Sequence, residues 1–90
     1  MTVLATPNQL QHPRLGLAIS RKVARSAVGR NRIKRVVRES YRHWQSRLCA
    51  VDIVVLGRAG VASQPNQVLR VALDSLWMEL INKCAGSSSN

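Results

Sequence analysis

The sequence predicts a small α+β fold, an α/β sandwich, in which a β-α-β unit carries a basic helix and a second helix packs beside it. Three observations lead there. Residues 14–20, RLGLAIS, alternate large and small with the period of two that marks a strand. From Asn31 onward, Ile33, Val36, Val37, Tyr41, Trp44 and Leu48 fall on one side of a helix turning about 100° per residue. Residues 51–56 form a short valine-rich run, and helical periodicity returns after Pro65. Ninety residues make one domain, near the lower end of what buries a self-sufficient core.

In chain order, residues 2–5 read as a short strand, and Pro7-Asn8 and His12-Pro13 punctuate a turn or loop. In 14–20, Leu15, Leu17 and Ile19 share one face, while Gly16, Ala18 and Ser20 share the other. That bare face permits close approach of a backbone or a ligand, and an inward packing constraint explains it equally well. Residues 21–30 lack sustained apolar periodicity and read as a basic loop. Asn31 is the expected N-cap of a helix over about 32–47, since its side-chain oxygen suits the first-turn amides. Residues 51–56 are apolar on both faces apart from Asp52, which predicts a buried central strand, often a parallel one. A loop with two glycines follows over 57–64, and Pro65 suits the first turn of a helix. Val68, Leu69, Ala72, Leu73, Leu76, Trp77, Leu80 and Ile81 then recur at helical spacing in a nearly neutral packing helix running through Lys83. Residues 1–85 make one domain, and 86–90, GSSSN, read as a flexible tail.

Charge is the strongest functional signal. Residues 14–47 hold eleven of the fourteen Lys and Arg against a single acid, Glu39, and so carry the whole net charge of +10. In the rest, Arg58, Arg70 and Lys83 balance Asp52, Asp74 and Glu79. Such concentration repels itself and costs stability. A solvated helix face usually mixes signs, because like charges four residues apart are unfavourable; here Lys34, Arg38 and Arg42 follow at that spacing. A polyanionic partner accounts for the pattern, since neutralising phosphates releases counterions. The dominance of arginine favours bidentate phosphate contacts. Charge alone does not separate RNA from DNA.

Other chemistries find little support. His12 and His43 are isolated, and four scattered acids supply neither a metal site nor an acid–base pair. Tyr41 and Trp44 lie on the apolar stripe and belong to the core rather than to base stacking. No stretch approaches the ~20 apolar residues of a membrane span, and no secretory leader is legible. Cys49 and Cys84 form no CxxC or Cys/His cluster and read as reduced thiols of a cytoplasmic protein, with a disulfide between them as the alternative.

At finer grain, RLGLAIS, then Lys22-Val23-Ala24, then AVGRNRIKRVVRE, then the strand with Asp52-Ile53-Val54-Val55 closely resembles the protein component family of bacterial ribonuclease P. The distinctive core is Ala27-Val28 with Arg30-Asn31-Arg32 and Lys34-Arg35 leading to Arg38-Glu39. The resemblance implies an α/β sandwich whose signature helix joins two parallel strands by a left-handed crossover, against the general rule. It implies a protein that binds the catalytic RNA subunit, 1:1, and receives the single-stranded 5′ leader of precursor tRNA on a sheet cleft. The RNA with Mg2+ then hydrolyses the phosphodiester, so the protein needs no cofactor and has no catalytic residue of its own. It further implies RNA rather than DNA, no membrane, and endonucleolytic tRNA maturation in the cytoplasm.

Carried over by position, Arg30, Asn31, Arg32, Lys34, Arg35 and Arg38 face the RNA subunit, and Arg21, Lys22 and Arg25 contact phosphates nearby. Asn31 both caps and touches RNA. The family opens with a helix and a first strand whose phenylalanines line the leader cleft; this chain starts at what corresponds to the second strand and contains no Phe. That departure weighs on leader binding and not on RNA-subunit binding. Two other readings compete. A stand-alone, ribosomal-type RNA-binding protein fits the composition equally well. A membrane-surface module fits a basic amphipathic helix, but here the apolar stripe is needed for the core.

Overall fold

A computed structural model describes residues 1–88, with side chains as far as Lys83. Strands β1 (Thr2–Pro7) and β2 (Arg14–Ala18) precede helix α1 (Ala27–Trp44); strand β3 (Val51–Leu56) and helix α2 (Asn66–Ser88) follow. Short 3-10 turns occupy Gln45–Arg47 and Val61–Ser63. The sheet order is β1-β3-β2, with β3 antiparallel to β1 and parallel to β2. The fold is therefore the expected α+β sandwich, with α1 as the crossover between parallel strands.

The period of two in β2 translates directly. Leu15 and Leu17 turn inward against the core, and Gly16 lies on the other face, paired with Val54 of β3. The strand stops at Ala18, so Ile19 and Ser20 lie outside it, although Ile19 is still buried. β3 is central as expected but is covered on one face only. Val51, Ile53 and Val55 are buried, whereas Val54 is 37% exposed. Its cross-strand neighbour Leu4 is 54% exposed, so the outer sheet face is bare where two buried faces were expected. β1 runs two residues further than 2–5, because Thr6 and Pro7 still pair with Asp52 and Val51. A proline is tolerated there because it ends an edge strand.

Helix α1 begins at Ala27, not at 32, and its cap is Ser26, not Asn31. Ser26 has extended backbone angles, and its hydroxyl accepts from the Gly29 amide at 2.9 Å. Gly29 allows that approach: a Cβ there would stand 3.0 Å from Ser26 Oγ. The predicted stripe is the buried one, with Ile33, Val36, Val37 and Leu48 in the core and Tyr41 and Trp44 partly buried against it. Tyr41 meets Trp77 of α2 edge-on at 5.9 Å between ring centroids, a favourable aromatic geometry. Burial raises the Tyr41 pKa.

From α2, Leu69, Leu73, Trp77 and Leu80 enter the core, while Val68 and Ala72 of the expected periodic set are exposed. Trp77 is fully buried, and its indole N–H donates to Ser40 Oγ at 2.8 Å. α2 is described to Ser88; residues 89 and 90 of the expected tail lie outside the described residues. Cys49 is disulfide-bonded, which corrects the reading of a reduced thiol; the Cys84 side chain is outside those described.

One ion pair ties the β1–β2 loop to the sheet. Arg14 donates from Nε and Nη2 to the two Asp52 oxygens, each at 2.7 Å, and Asn8 Nδ2 adds a bond of 3.1 Å to Asp52 Oδ1. These bonds, Arg14's first, hold the Asp52 carboxyl down at about 2, and the same contact raises the Arg14 pKa.

Two outcomes are expected. The depressed Asp52 pKa contributes stability above its unfolded value near about 3.9, and that contribution fades as pH falls toward 2. Acid titration of thermal stability should thus show a decline in this window that Asp52→Asn removes; identical profiles would mean that the pair does not persist in solution. Ser40→Ala leaves the buried Trp77 N–H without an acceptor and should cost about 1–3 kcal/mol in denaturant unfolding.

Candidate nucleic-acid interface

The cationic surface follows from how α1 is docked. With Ile33, Val36, Val37 and Ser40 facing the core, residues about 180° round the helix are Asn31, Arg35, Arg38 and Arg42. All four are exposed, and with Glu39 they line one open depression. No acid stands in the first turn of α1 to offset them. A ridge of three arginines spaced at three and four residues presents guanidinium forks along one line. Such forks match the oxygens of a phosphate backbone.

The other expected contacts divide into three groups. Arg21, Lys22 and Arg25 are exposed in the loop before α1. A turn shapes that loop, with the amides of Val23 and Ala24 donating to the Ser20 carbonyl. Lys34 is half-buried on the α1 flank, away from the ridge line. Arg30 and Arg32 are neither free nor fully exposed. Arg30 Nη1 donates to the carbonyls of Ala24 and Arg25 at 3.0 and 2.9 Å, which fixes the basic loop to the helix. Arg32 reaches the other way. Its Nη1 donates to Gln64 O at 3.1 Å and Asn66 Oδ1 at 2.6 Å, and its Nη2 to Ala62 O at 2.8 Å. Asn31, released from capping, is an exposed member of the ridge.

The helix packing also brings in residues that the charge count did not single out. Between α1 and the start of α2 runs a groove of ≈ 600 Å³ whose polar lining is Asn31, Arg32, Arg35 and Glu39 from one helix and Asn66 and Arg70 from the other. Arg70 Nη2 lies 3.6 Å from Glu39 Oε2, a half-exposed pair of the kind worth about 0–1 kcal/mol. Further along, Trp44 Nε1 donates to Asp74 at 3.0 Å, and the Arg47 guanidinium stacks 5.2 Å from the Trp44 ring centroid. Trp44 is thus committed to packing and to neighbours in its own chain.

The bare sheet face is the second surface of note. Leu4, Val54 and Gly16 form one cross-strand row, and a hollow of ≈ 310 Å³ opens beside Gly16, Val54, Arg14 and Asp52. A Cβ at Gly16 would meet only ordinary van der Waals neighbours, at 3.7 and 3.8 Å. Packing therefore does not require glycine there, which decides against the inward constraint considered from the sequence. Among the described residues, no three His, Cys, Asp or Glu side chains are grouped to hold a metal ion, and no helix is long and apolar enough to cross a membrane.

Comparison with known proteins gives one consistent result. Residues 1–81 match the profile of the Ribonuclease P family. The chain is 55% identical over 89 residues to the ribonuclease P protein component of Methylococcus capsulatus, covering 99% of this chain and 70% of that protein. It is 48% identical over 84 residues to the one from Idiomarina loihiensis, covering 93% and 67%. Among solved structures, the Staphylococcus aureus RNase P protein superposes with a TM-score of 0.77 at 31% identity, covering 92% of this chain and 72% of that one. The Thermotoga maritima protein, in complex with 1-(4-fluorophenyl)-2-thiourea, gives 0.75 at 32%, covering 83% and 74%. With its fold, its signature helix and nearly its whole length matched, the chain belongs to the ribonuclease P protein family.

Proposed function

We propose that this chain is the protein subunit of ribonuclease P and acts by binding RNA on two surfaces. The observation that carries this reading is the α1 ridge of Asn31, Arg35, Arg38 and Arg42, exposed opposite the buried stripe and without a compensating acid in the first turn. The catalytic RNA subunit docks there, one RNA to one protein, with Arg21, Lys22 and Arg25 extending the contact. The single-stranded 5′ leader of precursor tRNA lies on the bare sheet face, where Leu4, Val54 and the open backbone at Gly16 offer an apolar floor between polar ends. Chemistry belongs to the RNA and its Mg2+; the chain contributes affinity for substrate and screening of phosphate charge. The compartment in which tRNA precursors are processed makes the protein cytoplasmic. The family match disfavours a ribosomal-type protein.

Two measurements test the reading. Rigorously RNA-free protein should cleave no RNA, and should stimulate 5′ maturation of precursor tRNA at low magnesium once a bacterial catalytic RNA is supplied; cleavage by the protein alone would overturn it. Log K for the catalytic RNA should fall linearly with log salt. Arg35→Ala and Arg38→Ala should each make that slope shallower by about 0.7–0.9, one contact apiece, without loss of folded structure. Binding that ignores salt would mean that the ridge merely keeps the protein soluble.

A further inference from the structure

The groove between α1 and α2 has a feature that the ridge lacks: a polar side chain, Asn66, whose orientation is fixed by an arginine of the facing helix, Arg32, that lines the same groove. A guanidinium can only donate. Arg32 Nη1 at 2.6 Å from Asn66 therefore must meet its carbonyl oxygen, which leaves the Asn66 NH2 as the group available to any other partner. The same guanidinium holds Ala62 O and Gln64 O, so one side chain of α1 pins the whole approach to α2. Asn66 and Arg70 stand one helical turn apart on α2 and line the same groove as Asn31 and Arg35 of α1.

From this arrangement we infer that Arg32 is a positioning residue rather than a phosphate contact, and that through it Asn66 and Arg70 join the RNA-binding surface as a second wall. The interface is then a two-helix groove that admits a segment of the catalytic RNA, not a single charged helix lying on it. Arg35 and Arg70 supply forks for phosphates from opposite walls, and the Asn66 amide donates to a phosphate, ribose or base oxygen between them. Glu39, paired with Arg70 at 3.6 Å, holds that fork near the groove in the absence of RNA. This inference rests on the RNA-binding reading above and names the part of the surface it had left out.

The groove predicts a pattern across four variants, measured as affinity for a bacterial ribonuclease P RNA over a salt series alongside thermal stability. Arg70→Ala should reduce the salt slope by about 0.7–0.9, as for a phosphate contact. Arg32→Ala should weaken binding with the slope unchanged, because no phosphate contact is lost. Asn66→Asp keeps an acceptor for Arg32, so stability should hold or rise. It turns a donor into a negative charge facing RNA, so affinity should drop about tenfold or more. Ser75→Asp adds the same charge on the exposed outer side of α2 and should weaken binding far less. Asn66→Asp binding no worse than Ser75→Asp, with an Arg70→Ala slope equal to that of the parent, would remove the second wall. An Arg32→Ala slope shallower by a full contact would make Arg32 a phosphate ligand and overturn its positioning role. In either case Arg35→Ala and Arg38→Ala should still show their lost contacts; if they too bind as the parent does, it is the RNA-binding reading itself that fails.

Discussion

Everything in this molecule depends on burying one stripe of α1 against one face of a three-stranded sheet. Ile33 and Val37 are fully buried in the same cluster as Ile53 and Val55 of β3 and Leu73 and Trp77 of α2. A chain of 90 residues has little other core to draw on. Docking that stripe fixes the rotation of α1 about its axis, and rotation decides which side chains face water. A turn of one residue position, about 100°, would bring the ridge arginines toward the flank and unseat Val36. The packing thus sets the direction of the charge, and the one buried polar residue among those described, Ser40, is matched to the buried indole N–H of Trp77.

The arrangement carries an electrostatic cost. Arginines close to a helix N-terminus oppose the positive end of its dipole, and α1 places Arg30 and Arg32 within its first two turns. Both side chains reach carbonyl oxygens instead of lying over the helix end. Arg30 takes those of Ala24 and Arg25, and Arg32 takes those of Ala62 and Gln64. Each turns an unfavourable charge into a brace for a loop. Arg35, Arg38 and Arg42 have no comparable carbonyl partners among the described hydrogen bonds, and a single acid, Glu39, lines the same depression to offset their mutual repulsion. Residues so close in sequence thereby separate into braces and exposed charges.

Much of this was legible in the chain. Period two found β2, and the helical stripe found both the core face and the charged face of α1. The start of α1 was missed for a physical reason. Ser26 and Asn31 are both good caps, and Gly29 and the 80% exposed Val28 between them look like loop residues. Gly29 is there because the Ser26 hydroxyl comes close, a fact of the folded turn and not of the pattern. β3 looked buried on both faces because Val54 and Leu56 are apolar, and only its pairing with exposed Leu4 and bare Gly16 shows an open side. The Arg32–Asn66 bond was invisible, since it joins side chains 34 residues apart in sequence. The bonding of Cys49 likewise had no local signal.

The two-layer architecture also constrains how RNA can be used. Both helices contribute to the core on the inner side of the sheet, where Val51, Ile53 and Val55 point. The α1 ridge faces directly away from that core, and the row of Leu4, Val54 and Gly16 faces away from it on the other side of the sheet. The two surfaces are therefore back to back, and one short segment of RNA cannot lie on both without wrapping an edge. They also differ in chemistry: the ridge offers mainly charge, while the sheet face offers Leu4 and Val54 with Arg14 already neutralised by Asp52. Charge suits a structured RNA whose phosphates are fixed in space, and an apolar strip suits bases of an unpaired strand. Under the proposed function, a sheet covered on one side only therefore gives a folded RNA partner and a single-stranded one separate surfaces.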